Sequence, residues 1–297
     1  MQNSTQNPLK SFLANIIRKK HPDEFLEQSA AGGLKKTLNA FDLIILGISA
    51  IIGAGIFVMI GSAVIGTTER VGAGPALVIS IFLVAIACIF PALCYAEFAS
   101  MIPVSGSAYI YTFATMGELP AWMMGWVLML EYAIGTIAVA SSWTGYLIKF
   151  FQGFPMLPEV LKNPPVWLIN DYQTAQLTGE HMPHLFGIPI CFNLPAIFII
   201  VVIALILLKG IQESANFAKL MVFVKVTIIA LFVCVGAFYV RPENWVPFAP
   251  TGIKGILMGA FAIFYAYIGF DAISTAAEET KNPQKNLPIG LIGSLII

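Results

Sequence analysis

The sequence has few charged residues and no excess of either sign. Only 11% of its 297 residues are Asp, Glu, Lys or Arg, whereas roughly 25% is usual in soluble domains. This scarcity excludes an ordinary water-soluble enzyme, and the balance of sixteen basic against sixteen acidic residues gives no positive field for binding nucleic acid. Apolar residues make up 58% of the chain and the mean hydropathy is +0.83. The composition therefore predicts a protein embedded in a lipid bilayer.

Cysteine and histidine are also scarce. The four cysteines include no CxxC pair, and Cys88, Cys94 and Cys234 lie inside apolar runs, which is typical of small apolar side chains packed between helices. His181 and His184 are close in sequence but have no further ligands beside them. We therefore predict no metal site and no cofactor.

Long apolar runs dominate what is present. Windows of spanning length fall at about 42 to 63, 75 to 99, 120 to 148, 194 to 208, 217 to 240 and 253 to 275, and a seventh begins at Ile289 and reaches the last residue. The runs are continuous and do not alternate with polar residues, which disfavours a β-barrel. The sequence predicts an all-α polytopic membrane protein.

Lys and Arg in the loops predict the orientation. With a cytoplasmic N-terminus, the inner segments hold ten basic residues and the outer segments hold five. Because cytoplasmic loops carry the excess of basic residues, we expect residues 1–41 to form a cytoplasmic tail.

Two spans carry signs of a break in the membrane. In span one, Gly53 and Gly55 flank Ala54 near the middle of the helix, where glycine costs about 1 kcal/mol relative to alanine. In span six, Gly269 and Asp271 lie well inside the apolar run. Close packing through small residues is the alternative for the glycines alone, but paired interruptions five spans apart are typical of inverted-repeat transporters.

Three ionisable residues lie within spans, where each is costly unless it faces protein, water or a partner. They are Glu131 in span three, Lys225 in span five and Asp271 in span six. A membrane lysine can gain and lose a proton during a transport cycle. The alternatives are a static lysine–carboxylate pair, or a lysine that reaches the interface from a helix end.

Four motifs follow one another along the chain. They are IGAGIF at 52–57, PVSGSAYIY at 103–111, FYAYIGFD at 264–271 and EETKNP at 278–283. Together they resemble the motifs of the amino acid, polyamine and organocation superfamily, and most closely those of its cationic amino acid transporter family and bacterial permeases. The resemblance covers about residues 35 to 297. PVSGSAYIY also predicts a short interfacial helix. Residues 278–288 predict a charged inner loop that Pro288 ends before the next helix.

The resemblance implies a LeuT-type inverted-repeat fold and secondary transport of a cationic or small neutral amino acid. Residues 42–240 would hold spans one to five as the first repeat, and residues 241–297 would hold span six and part of span seven. The resemblance further implies a site for the substrate carboxylate at the amides of Gly53, Ala54 and Gly55. It places the substrate amino group at carbonyls around Ile52, Tyr265, Ala266 and Ile268, with Tyr265 as an aromatic gate.

By the same likeness, Lys225 is the coupling residue of a proton-driven permease. We expect Glu131 or Asp271 to tune it, because they are the other ionisable residues within spans. Ala54 stands where relatives often have Ser or Thr, which leaves only backbone contacts there. Complete members of the family have at least twelve spans, so we expect the 297 residues to be about half of a working transporter. The alternative is a non-transporting protein, either a sensor, a partner-binding protein or a remnant. A channel is disfavoured because no ring of like charge lines a span.

Overall fold

The structure is a computed structural model that describes residues 18–31, 34–68, 70–178 and 182–297. Part of the expected tail and His181 lie outside these residues. The helices that do not belong to a long span are Pro22–Ala31, Ser107–Thr115, Glu159–Lys162, Val166–Leu168, Tyr172–Leu177, Leu194–Leu207, Pro242–Trp245 and Pro283–Ile296. Two short antiparallel strands, His184–Leu185 and Ile188–Pro189, form a hairpin.

Five helices are long and apolar enough to cross a membrane. They are Ala40–Ile65, Gly74–Met101, Glu118–Gln152, Ser214–Ala237 and Gly252–Glu279, which correspond to spans one, two, three, five and six. Leu194–Leu207 lies in the window of span four but is only 14 residues long. The prediction of an all-α polytopic membrane protein is confirmed.

The predicted start of span seven is wrong. The sequence suggested a charged loop as far as Pro288 and a helix from Ile289, but the helix runs over Pro283–Ile296. Pro283 occupies the first turn, where its missing amide hydrogen has no helical acceptor to lose. Pro288 is accommodated inside the helix, so the loop shrinks to residues 280–282.

The chain divides into two compact units. Residues 130–214 form one unit, in which Asn193 starts the helix Leu194–Leu207. Its Oδ1 accepts hydrogen bonds from the Ala196 amide at 3.0 Å and from the Thr144 hydroxyl at 2.8 Å. This contact joins span three to the short helix of span four within that unit.

The other unit contains spans one, two, five and six and the helix Pro283–Ile296. Small residues let its helices approach closely: a side chain on Gly47 would collide with Ile273 and Ser294. The buried Ser80 hydroxyl donates to the Ile256 carbonyl at 2.7 Å, which links span two to span six. These contacts fix span one and span six side by side.

Span one runs in the opposite direction to spans two and six, so residues 34–39, 102–106 and 280–282 lie on one side of the membrane, which we name the tail side. There the amides of Thr37 and Leu38 donate to the Glu279 carbonyl at 2.8 and 3.0 Å, and the Lys281 amide donates to the Leu38 carbonyl at 2.8 Å. We name this contact, between residues 37–38 and 279–281, the strap. It joins the start of span one to the end of span six.

The tail helix, Pro22–Ala31, packs on the loop helix, Ser107–Thr115. Phe25 is only 4% exposed, and its ring meets Phe113 edge to face with centroids 5.8 Å apart. The Lys20 ammonium lies 4.6 Å from the centre of the Phe25 ring. Phe25 therefore anchors the tail helix.

Phe25→Ala should release the tail helix. Truncating a buried phenylalanine costs about 3 kcal/mol or more in a protein core, and a ten-residue helix is marginal without tertiary contacts. Amide hydrogen exchange over residues 22–31 should then rise to the rate of an unprotected segment. Glu27→Ala changes an exposed residue of the same helix and should leave exchange unchanged. Equal protection in the Phe25 variant and the parent would contradict this role.

Candidate functional site

Span one breaks where the sequence predicted. Its first helical half ends at Ile51, and Ile52 leaves helical geometry with φ −76° and ψ 90°. A π-helical turn, Gly55–Met59, then starts the second half. The Gly53 carbonyl already accepts from the Ile56 and Phe57 amides at 3.2 and 3.3 Å. The amides of residues 53–55 are therefore the first of the second half and have no acceptor within it, so the break presents a helix N-terminus.

Span six breaks in the same manner. Its first half ends at Tyr267, Ile268 is extended, and Gly269 has φ +112°, a left-handed conformation that favours glycine. A 3-10 helix, Phe270–Glu279, completes the span. Tyr265 and Ala266 lie in the last turn before the break, where carbonyls lack the amide four residues further on. This break therefore presents a helix C-terminus.

The two breaks touch each other. A side chain on Gly55 would overlap the Cα and Cβ atoms of Ala266 and lie 3.0 Å from its nitrogen. A side chain on Gly269 would lie 3.2 Å from the Ala50 Cβ. Each break thus packs against the end of the first half of the other span, and the two spans run antiparallel. The donors of one break and the acceptors of the other are brought together.

Lys225 from span five binds the break of span one. Its ammonium donates to the carbonyls of Ser49 at 3.0 Å and of Ile52 at 2.7 Å, and its side chain is half-buried. A cation at the C-terminal end of a helix half is favoured by the helix dipole. Lys225 does not reach to an interface, and none of the ion pairs found between described residues includes it. Sequence reasoning had assigned both Lys225 and Ile52 to the site but had missed the bond between them.

The two carboxylates lie in different surroundings. Asp271 is 8% exposed and accepts a hydrogen bond from the Ser107 hydroxyl of the loop helix at 3.3 Å. It lies two residues beyond the Gly269 break, and this hydroxyl comes from a helix that follows the tail-side residues 102–106. Glu131 belongs to the unit of residues 130–214 and is half-buried there.

Aromatic residues of span two and of the loop helix pack together next to the span-six break. The rings of Tyr95 and Tyr111 lie 5.7 Å apart, and Tyr95 lies 5.8 Å from Phe270, the first residue after the break. Phe98 stacks on Tyr111 at 5.1 Å. The motif at 103–111 therefore does more than lie along the interface, because it packs against the second half of span six.

Sequence reasoning also missed Asp42. Asn39 and Asp42 form a capping box at the start of span one, in which each side chain accepts from the other's amide, at 3.1 and 2.9 Å. The remaining Asp42 oxygen lies 2.5 Å from the Lys219 ammonium of span five. The spacing Asn-x-x-Asp before an apolar run was a signal for the cap, but nothing local indicated the lysine.

Comparison with known proteins identifies the class. Residues 38–297 match the family model described as amino acid permease. The fold and the paired breaks thus belong to an integral membrane protein of that class, and the chain belongs to the amino acid permease family. This is a family of transporters rather than enzymes, and the resemblance drawn from the four motifs is confirmed.

Several relatives match nearly all of the chain. It is 44% identical over 286 residues to the methylthioribose transporter of Bacillus subtilis (strain 168), covering 96% of this chain and 57% of that protein. It is 45% identical over 285 residues to the branched-chain amino acid permease BcaP of the same organism, covering 95% and 56%. It is 37% identical over 292 residues to the chloroplastic cationic amino acid transporter 9 of Arabidopsis thaliana, covering 96% and 48%. The chain spans about half the length of these relatives.

Proposed function

We propose that the protein containing this sequence is a secondary active amino acid permease that works by alternating access and is driven by protons. The observation that carries the proposal is the direct contact between two helix breaks, Gly55 on Ala266 and Gly269 on Ala50, with Lys225 bound at the same place. The family membership supports transport, and the site suggests its chemistry.

An amino acid complements the two breaks through its own two charges. The α-carboxylate would bind the amides of Gly53, Ala54 and Gly55, because a helix N-terminus attracts anions. The α-ammonium would bind carbonyls of Tyr265, Ala266 and Ile268. Ile52 already accepts from Lys225, but a carbonyl oxygen has a second lone pair for the ligand. Tyr265 would close over the bound substrate.

Lys225 would carry the coupling proton. Protonated, it holds the carbonyls at the end of the first half of span one. When it is deprotonated, it loses its charge and one of its hydrogen-bond donors, so its bonds to these carbonyls weaken. The conformation of the break would then depend on whether the proton is bound. Asp271 and Glu131 would adjust this step.

The architecture that fits this mechanism is a LeuT-type inverted repeat. Residues 42–240 would form the first repeat, and residues 241–297 would begin the second. The tail would be cytoplasmic and the protein would reside in the cell membrane, with the tail side facing inward. The relatives named for branched-chain and cationic amino acids support a cationic or small neutral amino acid as substrate.

Uptake by the complete protein in liposomes tests the proposal. Radiolabelled leucine, alanine, lysine and arginine are offered with the outside acidified by one pH unit. We expect at least one of them to accumulate, and a protonophore should abolish the accumulation. An amino acid that binds without moving would identify a sensor, and no binding at all would indicate a partner-binding protein or a remnant. Either result would contradict the proposal.

A further inference from the structure

The Asp42 carboxylate links span one to span five on the tail side, because each of its two oxygens has a partner. One oxygen accepts the Asn39 amide at 2.9 Å in the capping box, and the other meets Lys219 at 2.5 Å. Asp42 is 6% exposed, whereas the Lys219 side chain is 35% exposed. The aspartate is thus held in span one by the cap, and the lysine of span five is the more exposed partner.

The strap makes the tail-side ends of spans one and six a single body. Its three backbone hydrogen bonds connect residues 37–38 with residues 279–281, and Leu38 and Thr280 are fully buried. The three backbone hydrogen bonds between these two short segments resist separation more than the single ion pair between Asp42 and Lys219 does. Movement on the tail side is therefore easier between this body and span five than within the body.

Span five contacts span one at two levels. Lys219 reaches Asp42 near the tail side, and Lys225 reaches Ser49 and Ile52 at the break. Lys225 comes six positions after Lys219 in the helix, a rise of about 9 Å. Leu46 lies on span one between the two levels, four residues after Asp42 and three before Ser49.

We propose that Asp42 and Lys219 are positioning residues of a tail-side gate: their ion pair closes the route from the substrate site to the tail side, and its separation opens that route. The inference rests on the proposed transport function. Neither residue touches the substrate. They act by holding span five against the first half of span one.

The test is the reactivity of Leu46→Cys in the complete protein, with all of its native cysteines replaced by alanine. A membrane-impermeant thiol reagent is added to the tail side, and the labelling rate is measured. Lys219→Met and Asp42→Asn should each raise the rate about fivefold, which corresponds to about 1 kcal/mol for a partly exposed pair. Asp42→Asn keeps an oxygen for the cap, and Lys219→Arg keeps the pair and should label like the parent.

A double variant tests whether Asp42 and Lys219 act through their contact or independently of each other. If both changes act through one contact, Asp42→Asn with Lys219→Met should again give about fivefold and not their product. Lys285→Gln removes an exposed lysine near the same side and should leave labelling unchanged. Parental labelling in both single variants, or multiplied effects in the double variant, would overturn the gate. Labelling does not require transport, so a failure of the proposed function would show separately, as a parent that accumulates no amino acid.

Discussion

Gly55→Ala should reduce amino acid uptake by about 100-fold or more, the loss that follows when binding groups are misplaced by about 1 Å. The added methyl group would overlap the backbone and side chain of Ala266, so the two breaks must move apart. The amides of residues 53–55 and the carbonyls of residues 265–268 would then no longer face one ligand. Uptake and equilibrium binding of the same amino acid measure the effect.

The chain provides a matched control for this variant. Gly61 lies six residues further along span one, and a side chain there would meet nothing within 4 Å. Gly61→Ala should therefore transport like the parent. Adding Ala266→Gly to Gly55→Ala removes one of the colliding atoms and should restore part of the uptake. Full uptake by Gly55→Ala alone would show that the close approach of the breaks is not needed.

Lys225→Met should abolish accumulation driven by protons. One proton moving down a gradient of one pH unit supplies about 1.4 kcal/mol, which supports about tenfold accumulation of a neutral substrate. Without the ammonium, the proton has no carrier at the break, and the ratio of inside to outside substrate should fall to about one. Downhill exchange of substrate should persist in part, because the amides of span one and the carbonyls of span six remain.

Lys225→Arg distinguishes a coupling proton from a fixed charge. Arginine keeps the positive charge and stays protonated in proteins, so it should retain substrate binding and still fail to concentrate substrate. Lys209→Gln removes an exposed lysine of the unit of residues 130–214, which contains neither break, and should behave like the parent. About tenfold accumulation by Lys225→Met would refute the assignment of the coupling residue.

The sequence predicted the features that depend on local composition. Apolar runs indicated the spans. Glycines in span one, and a glycine beside an ionisable residue in span six, indicated the breaks, because these signals lie within a few residues of the structure they specify. The predicted start of span seven was wrong, and the reason is also local. Two prolines suggested a loop, although proline in the first turn of a helix is well tolerated.

Contacts between distant segments were not predictable. The bond from Lys225 to Ile52, the pair of Asp42 with Lys219 and the strap each join residues more than 170 positions apart. Such contacts depend on which helix faces meet, and apolar spans carry little periodicity to indicate a face. Phe25 was missed for a similar reason, because one aromatic residue in a polar tail does not reveal that a second helix will cover it.

Substrate protection of cysteines placed at both breaks tests whether the amino acid binds between them. Ala54→Cys and Ile268→Cys are labelled separately with a small thiol reagent in the complete protein, over a range of concentrations of the transported amino acid. We expect the substrate to slow labelling at both positions with the same half-maximal concentration, and we expect no protection of Gly61→Cys. Unchanged labelling of Ala54→Cys and Ile268→Cys at concentrations that saturate uptake would contradict a substrate site between the two breaks.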